Sequence, residues 1–163
     1  MAQNIAWKAG QLLTWDDFKG PPNAASPYYA FTQYAFGYTE HADKSGRSVI
    51  SVSCAFDPSK SWKKTDKKLT AELLLHEQLH FYAAEVYARK MRKAFGEYAG
   101  THTRGTSTGA ELNKIFQQLN NECTAYQGQY DKETDHSKNQ EQQDLWRAKI
   151  TADLKELGAY EVK

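Results

Sequence analysis

The chain predicts an α+β fold in which an N-terminal antiparallel hairpin packs on one long helix, with two further helices closing the core. Three patterns carry that expectation. Apolar alternation at period two is confined to the first third, the period changes to three and four from Leu69 onward, and two later apolar stripes each follow a helix-start signal. With 163 residues, 40% of them hydrophobic, the chain can bury a substantial core, and its length favours one domain spanning residues 1–163.

The elements follow in order. Trp7, Leu12, Leu13, Trp15 and Phe18 lead into Gly20-Pro21-Pro22-Asn23 and Ser26-Pro27, so short extended pieces broken by turns are expected over residues 5–30. Phe31 to Tyr38 and Ser48 to Phe56 read as strands, the second with Ile50, Val52, Cys54 and Phe56 on one face, and Asp43-Lys44-Ser45-Gly46 supplies a hairpin turn. Pro58 offers no ladder donor and ends the second strand. Leu69, Leu73, His76, His80, Ala84, Tyr87 and Met91 then mark one face of a helix from near Asp66 to near Phe95. The Gly- and Thr-rich stretch from Gly100 to Gly109 reads as a mobile loop. Thr108 to Glu111 resembles a capping box opening a helix with Leu112, Ile115, Phe116, Leu119, Cys123 and Tyr126 inward, and Ser137 to Gln140 a second one opening a helix with Trp146, Ile150, Leu154 and Leu157 inward.

Composition narrows the classes of partner. Lys and Arg total 21 against 20 for Asp and Glu, a net charge of +1, so no global field attracts nucleic acid or an anionic membrane. No apolar run approaches the length of a membrane span, and the first residues lack the basic and apolar regions of an export signal. Cys54 and Cys123 are too few and too distant for a sulfur-based zinc site; both read as buried thiols, with a disulfide as the alternative. Aromatic residues make up 13%, enough to fill a core and its rim, or to line a peptide groove.

The chemistry concentrates in His76-Glu77-Gln78-Leu79-His80. On a helix, residues four apart lie about 5–6 Å from each other at Cβ, so two imidazoles can share one tetrahedral ion at roughly 2.0–2.1 Å. Glu77, about 100° round the helix from His76, can flank the ion without binding it and act as general base toward metal-activated water. A buried helix whose histidines are merely hydrogen-bonded is the plainer reading, but two imidazoles and a carboxylate in an apolar stripe are costly without a partner. A catalytic zinc takes three protein ligands and keeps an open position. For the third ligand His136 ranks first, in a segment with Asp131, Glu133 and Asp135 available as acceptors for its ring N–H. Glu133 ranks second, with Asp131 and Glu122 as further carboxylates; His41 and His102 fall in a strand end and a loop. Glu85 is rotated away from His76 and reads as the partner of Arg89. Tyr130, Tyr126 or His102 could donate to an oxyanion.

Several segments together resemble a family of bacterial domains of uncharacterised function assigned as zinc-dependent proteases of the H-E-x-x-H peptidase superfamily. They are Leu13 to Gly20, Phe56 through Ser61-Trp62, His76 to Phe81 continuing into Tyr87-Ala88-Arg89, and Tyr130 to His136. The resemblance implies a zincin-like metallopeptidase domain with Zn²⁺, a periplasmic or secreted location, His76, His80 and His136 as ligands and Glu77 as the catalytic base. Where the family tends to have Gly after that last His, this chain has Ser137. The expected function is zinc-dependent hydrolysis of a peptide or protein substrate, held in extended form by the Phe31 to Phe56 hairpin. A module that holds zinc without cutting, and a metal-dependent amidase acting on cell-wall peptides, are the alternatives.

Overall fold

The computed structural model describes residues 3–102 and 109–162. A three-stranded antiparallel sheet in the order β1-β4-β3 combines Ile5–Ala6 (β1), Tyr34–Ala42 (β3) and Ser48–Phe56 (β4). The β3–β4 hairpin runs in unbroken register from Tyr34 opposite Phe56 to Ala42 opposite Ser48. Its turn forms because Asp43 Oδ1 accepts from the backbone N–H groups of Ser45 and Arg47 at 2.8 and 3.0 Å, while Gly46 takes φ +80°, a conformation that glycine adopts without a Cβ penalty. Val52, Cys54 and Phe56 are buried and Ser51 and Ser53 exposed, as period two requires.

A second, two-stranded sheet pairs Ala30–Phe31 (β2) with Trp62–Lys63 (β5). The N-terminal segment seats it: Lys19 N donates to Pro58 O at 3.0 Å and Gly20 N to Ser61 O at 2.8 Å. A Cβ on Gly20 would stand 2.8 Å from Ser59 O and 2.9 Å from Ser61 O, so only glycine permits this approach.

Three helices follow: α1 (Ala71–Thr101), α2 (Gly109–Thr134) and α3 (Gln140–Glu156). The first starts five residues later than the period suggests, because the Thr70 side chain accepts from Leu73 N at 3.1 Å and fixes the N-cap there. It also runs six residues past Phe95, with no proline to stop it. Nor does it bury a single stripe. One side packs Phe81, Ala84, Ala88, Met91 and Phe95 on the sheet residues Val52, Cys54 and Phe56. The other packs Leu79, Ala83, Val86 and Tyr87 on Cys123, Tyr130, Trp146 and Ile150 of α2 and α3. The helix is therefore the central layer between sheet and helix pair.

Cys54 and Cys123 are both free and buried. The cap of α3 is Asn139, whose side chain accepts from Gln142 N at 3.1 Å, in place of the box expected at Ser137. Thr108 and most of the Gly/Thr-rich stretch lie outside the described residues. No helix is long and apolar enough to cross a membrane among those residues.

Candidate metal centre

The second and third turns of α1 present His76 and His80 to the same point. Their Nε2 atoms lie 3.2 Å apart, and Asp131 Oδ1, from the last turns of α2, stands 3.1 Å from the first and 3.0 Å from the second. These three residues form the one group among the described residues whose ligand atoms converge as a metal site requires. Asp131 reaches it because Cys123, Gln127 and Asp131 follow one another at four-residue spacing along α2.

The opposite ring nitrogens show what this convergence means. His76 Nδ1 faces Gln143 Oε1 of α3 at 3.1 Å, and His80 Nδ1 faces Gln127 Oε1 of α2 at 2.6 Å. Neither amide can be turned round without loss, because Gln143 Nε2 donates to Glu72 O at 2.8 Å and Gln127 Nε2 to His80 O at 2.9 Å. Each glutamine thus offers an oxygen to an imidazole, and each imidazole must carry its proton on Nδ1. The neutral rings then aim two Nε2 lone pairs and a carboxylate oxygen at one another with no proton between them. Without a cation that arrangement is repulsive. Four-coordinate zinc with bonds of roughly 2.0–2.1 Å places its ligand atoms about 3.3–3.4 Å apart, close to the three separations here, so the residues fit such an ion.

In the absence of metal, protons substitute. Burial disfavours a charged His80, but Asp131 outweighs it and raises the imidazole's pKa. Burial likewise works against the Asp131 carboxylate, yet the two imidazoles hold it well below the usual carboxylate range. Tyr130 braces both rings, stacking on His76 at 4.6 Å and meeting His80 edge-on at 5.0 Å between centroids.

His136 stands beside the group. Its Nδ1 lies 3.2 Å from Asp131 Oδ1, and its ring centroid is 6.4 Å from that of His76 and 4.0 Å from that of Tyr28. Asp135, His136 and Ser137 hold φ values of 44°, 49° and 76°, so a left-handed turn between α2 and α3 carries the imidazole. That conformation costs L-residues about 1–2 kcal/mol each, and Ser137 adopts it where glycine would do so freely.

The other carboxylates and histidines weighed from sequence are elsewhere. Glu133 lies about 200° round α2 from Asp131, where it accepts from Trp146 Nε1 at 2.7 Å and Gln129 Nε2 at 2.8 Å. Glu122 is exposed and bonds Gln118, His41 is exposed on β3, and His102 stacks on Tyr98 beyond the far end of α1. The expected oxyanion donors are not positioned for that role either. Tyr130 is fully buried with its hydroxyl toward His76 O and Gln143 Oε1, and Tyr126 donates to Asp153.

Glu77 is 4% exposed, and Thr32 Oγ1 donates to its Oε2 at 2.7 Å. Glu77, His76, His80, Asp131 and His136 all line one cleft of about 660 Å³. Its opposite wall is the continuous segment 27–34, so only the start of the predicted hairpin borders the site; β4 packs behind α1, on the core.

Residues 10–137 match a family described as bacterial protein of unknown function, DUF922. No curated protein and no solved structure matches the chain.

Proposed function

We propose that this chain, which belongs to the DUF922 family, is a zinc-dependent hydrolase of peptide bonds. One observation carries the reading: two imidazoles with tautomers fixed by glutamines converge with a carboxylate on a point in a cleft, directly beside an acidic side chain on the same helix. His76, His80 and Asp131 would hold the ion, with His136 against Asp131 as the neighbouring imidazole. When bound, zinc supplies Lewis acidity that polarises a carbonyl and makes water acidic enough to attack at neutral pH.

The chain's own residues supply the rest. Glu77 can take the proton of the attacking water and return it to the departing amine. The segment 27–34 can lay an extended peptide along the cleft by strand addition, and Tyr28, Tyr29 and Phe31, each more than 40% exposed, offer apolar contact to its side chains.

A purely structural zinc site has no use for a carboxylate at position 77, so one variant separates cutting from holding. Glu77→Gln is expected to lower turnover of a fluorogenic peptide library by about 10²–10⁴-fold with the zinc content unchanged, whereas His76→Ala loses the zinc. Turnover by Glu77→Gln equal to that of the parent contradicts the general-base role. Cell-wall peptides in the same assay distinguish an amidase from a protease.

A further inference from the structure

Thr32 lies in the two-residue gap between β2 and β3 and is 6% exposed. Its hydroxyl stands 2.7 Å from Glu77 Oε2 and 3.1 Å from Glu77 O. A hydroxyl has one proton, and a carboxylate is the stronger acceptor, so the proton goes to Oε2. Among the described residues this is the carboxylate's one hydrogen bond, and Oε1 is not among the enclosed polar atoms that lack a partner. This contact holds Oε2 to Thr32 and so sets where the other carboxylate oxygen lies.

The same residue sits where an extended chain would bind. In the β2–β5 ladder Ala30 opposes Lys63 and Phe31 opposes Trp62, and Lys64 N donates to Tyr29 O at 2.7 Å. Hydrogen-bonded and non-bonded pairs alternate in an antiparallel ladder. Tyr29 and Phe31 therefore direct their backbone groups to β5, and those of Ala30 and Thr32 point the other way. Both residues line the cleft, and neither has a backbone partner on that side among the described residues.

We propose that Thr32 is a positioning residue that joins substrate and base: its backbone registers an extended peptide at the strand edge, and its hydroxyl fixes the Glu77 carboxylate against that peptide. The inference rests on the reading of Glu77 as general base. A strand-bound peptide and the oxygen that must act on it then share one residue as their common reference, so a small shift of the edge moves both together.

Thr32→Val keeps the shape and removes the hydroxyl; Thr32→Ser keeps the hydroxyl. In crystal structures of the zinc-loaded variants, Glu77 is expected to leave its position with Val and to keep it with Ser. The kcat on the fluorogenic library is expected to fall 10- to 100-fold with Val at little change in KM, as a small misplacement of a reacting group does, and to recover with Ser. Should Val fail to fold, Thr32→Ala gives the same comparison. An unmoved Glu77 in the variant lacking the hydroxyl overturns the proposal, as does a Ser variant as impaired as Val. If the zinc-loaded parent cleaves nothing, the hydrolase reading falls, while the Glu77 position in the variant structures still decides the hydroxyl's part.

Discussion

Helix α1 takes part in two polar clusters, one enclosed and one lining the cleft, and they differ in whether their charges cancel. Five residues beyond His80, Glu85 is 1% exposed and takes Arg89 Nε at 3.0 Å and Arg92 Nη1 at 2.7 Å. The remaining donors are also matched: Arg89 reaches Leu154 O and Glu161, and Arg92 reaches Val52 O and Tyr160 O. Two cations meet two anions and every fork finds an oxygen. At the other cluster His76 and His80 of α1 meet Asp131 of α2, and with both imidazoles neutral the three set acceptors facing acceptors. A buried polar set that satisfies itself is architecture; a cleft-lining set that is short of a positive charge has the chemistry to accept one.

The contrast breaks most visibly at Glu85. Glu85→Ala strands two arginines whose side chains are 3% and 12% exposed, and losing one partner of a buried set costs about 3–5 kcal/mol, or roughly 6–20 °C in Tm for a chain this long. The folded fraction should still take up zinc at full stoichiometry. A melting point within about 2 °C of the parent, well below that range, would show that the cluster is not the self-contained structural unit described.

Gln127→Leu and Gln143→Leu probe the other cluster. Each removes the acceptor that holds an Nδ1–H, and loss of such a support weakens metal affinity about 10–100-fold. Competition with a chelating dye measures it; unchanged affinity in both would mean the glutamines do not set the tautomers.

The smallest effect is in pH. The His80 pKa is raised above 6.5 in the folded state, so its contribution is complete below pH 6.5 and disappears as pH rises through the folded value. Asp131 is depressed below 3.8, so its contribution is complete above pH 3.8 and is lost as pH falls through its own folded value. Metal-free protein is therefore expected to be most stable between those limits. Zinc at 100 times its Kd adds about 2.7 kcal/mol and should remove the decline on the alkaline side. Melting curves with and without zinc test this, and an alkaline decline that persists with zinc contradicts it.

Much of this was legible in the residues. The alternation of Val52, Cys54 and Phe56 placed the hairpin, and the spacing of His76, Glu77 and His80 placed three of the cleft's side chains together. Pairing of Glu85 with Arg89 followed from helix geometry, although the second arginine, Arg92, did not. What escaped was polar residues hidden in apolar stripes. Gln127 sits four after Cys123 and Gln143 three before Trp146, positions that burial reserves for apolar side chains unless something needs them. Asp131 ranked behind His136 and Glu133 because a cluster of acidic residues does not reveal which one faces inward; the turn of α2 from Gln127 does. Thr32 left no local signal, since its partner is 45 residues away.

The two glutamines arrive from different helices, Gln127 on α2 and Gln143 on α3, to align two rings on α1. The His80 ring takes its partner from α2 and the His76 ring from α3, so aligning both requires both helices on α1. The two imidazoles therefore take their joint orientation only where all three helices meet, so the site belongs to the finished bundle and not to the helix that carries the motif.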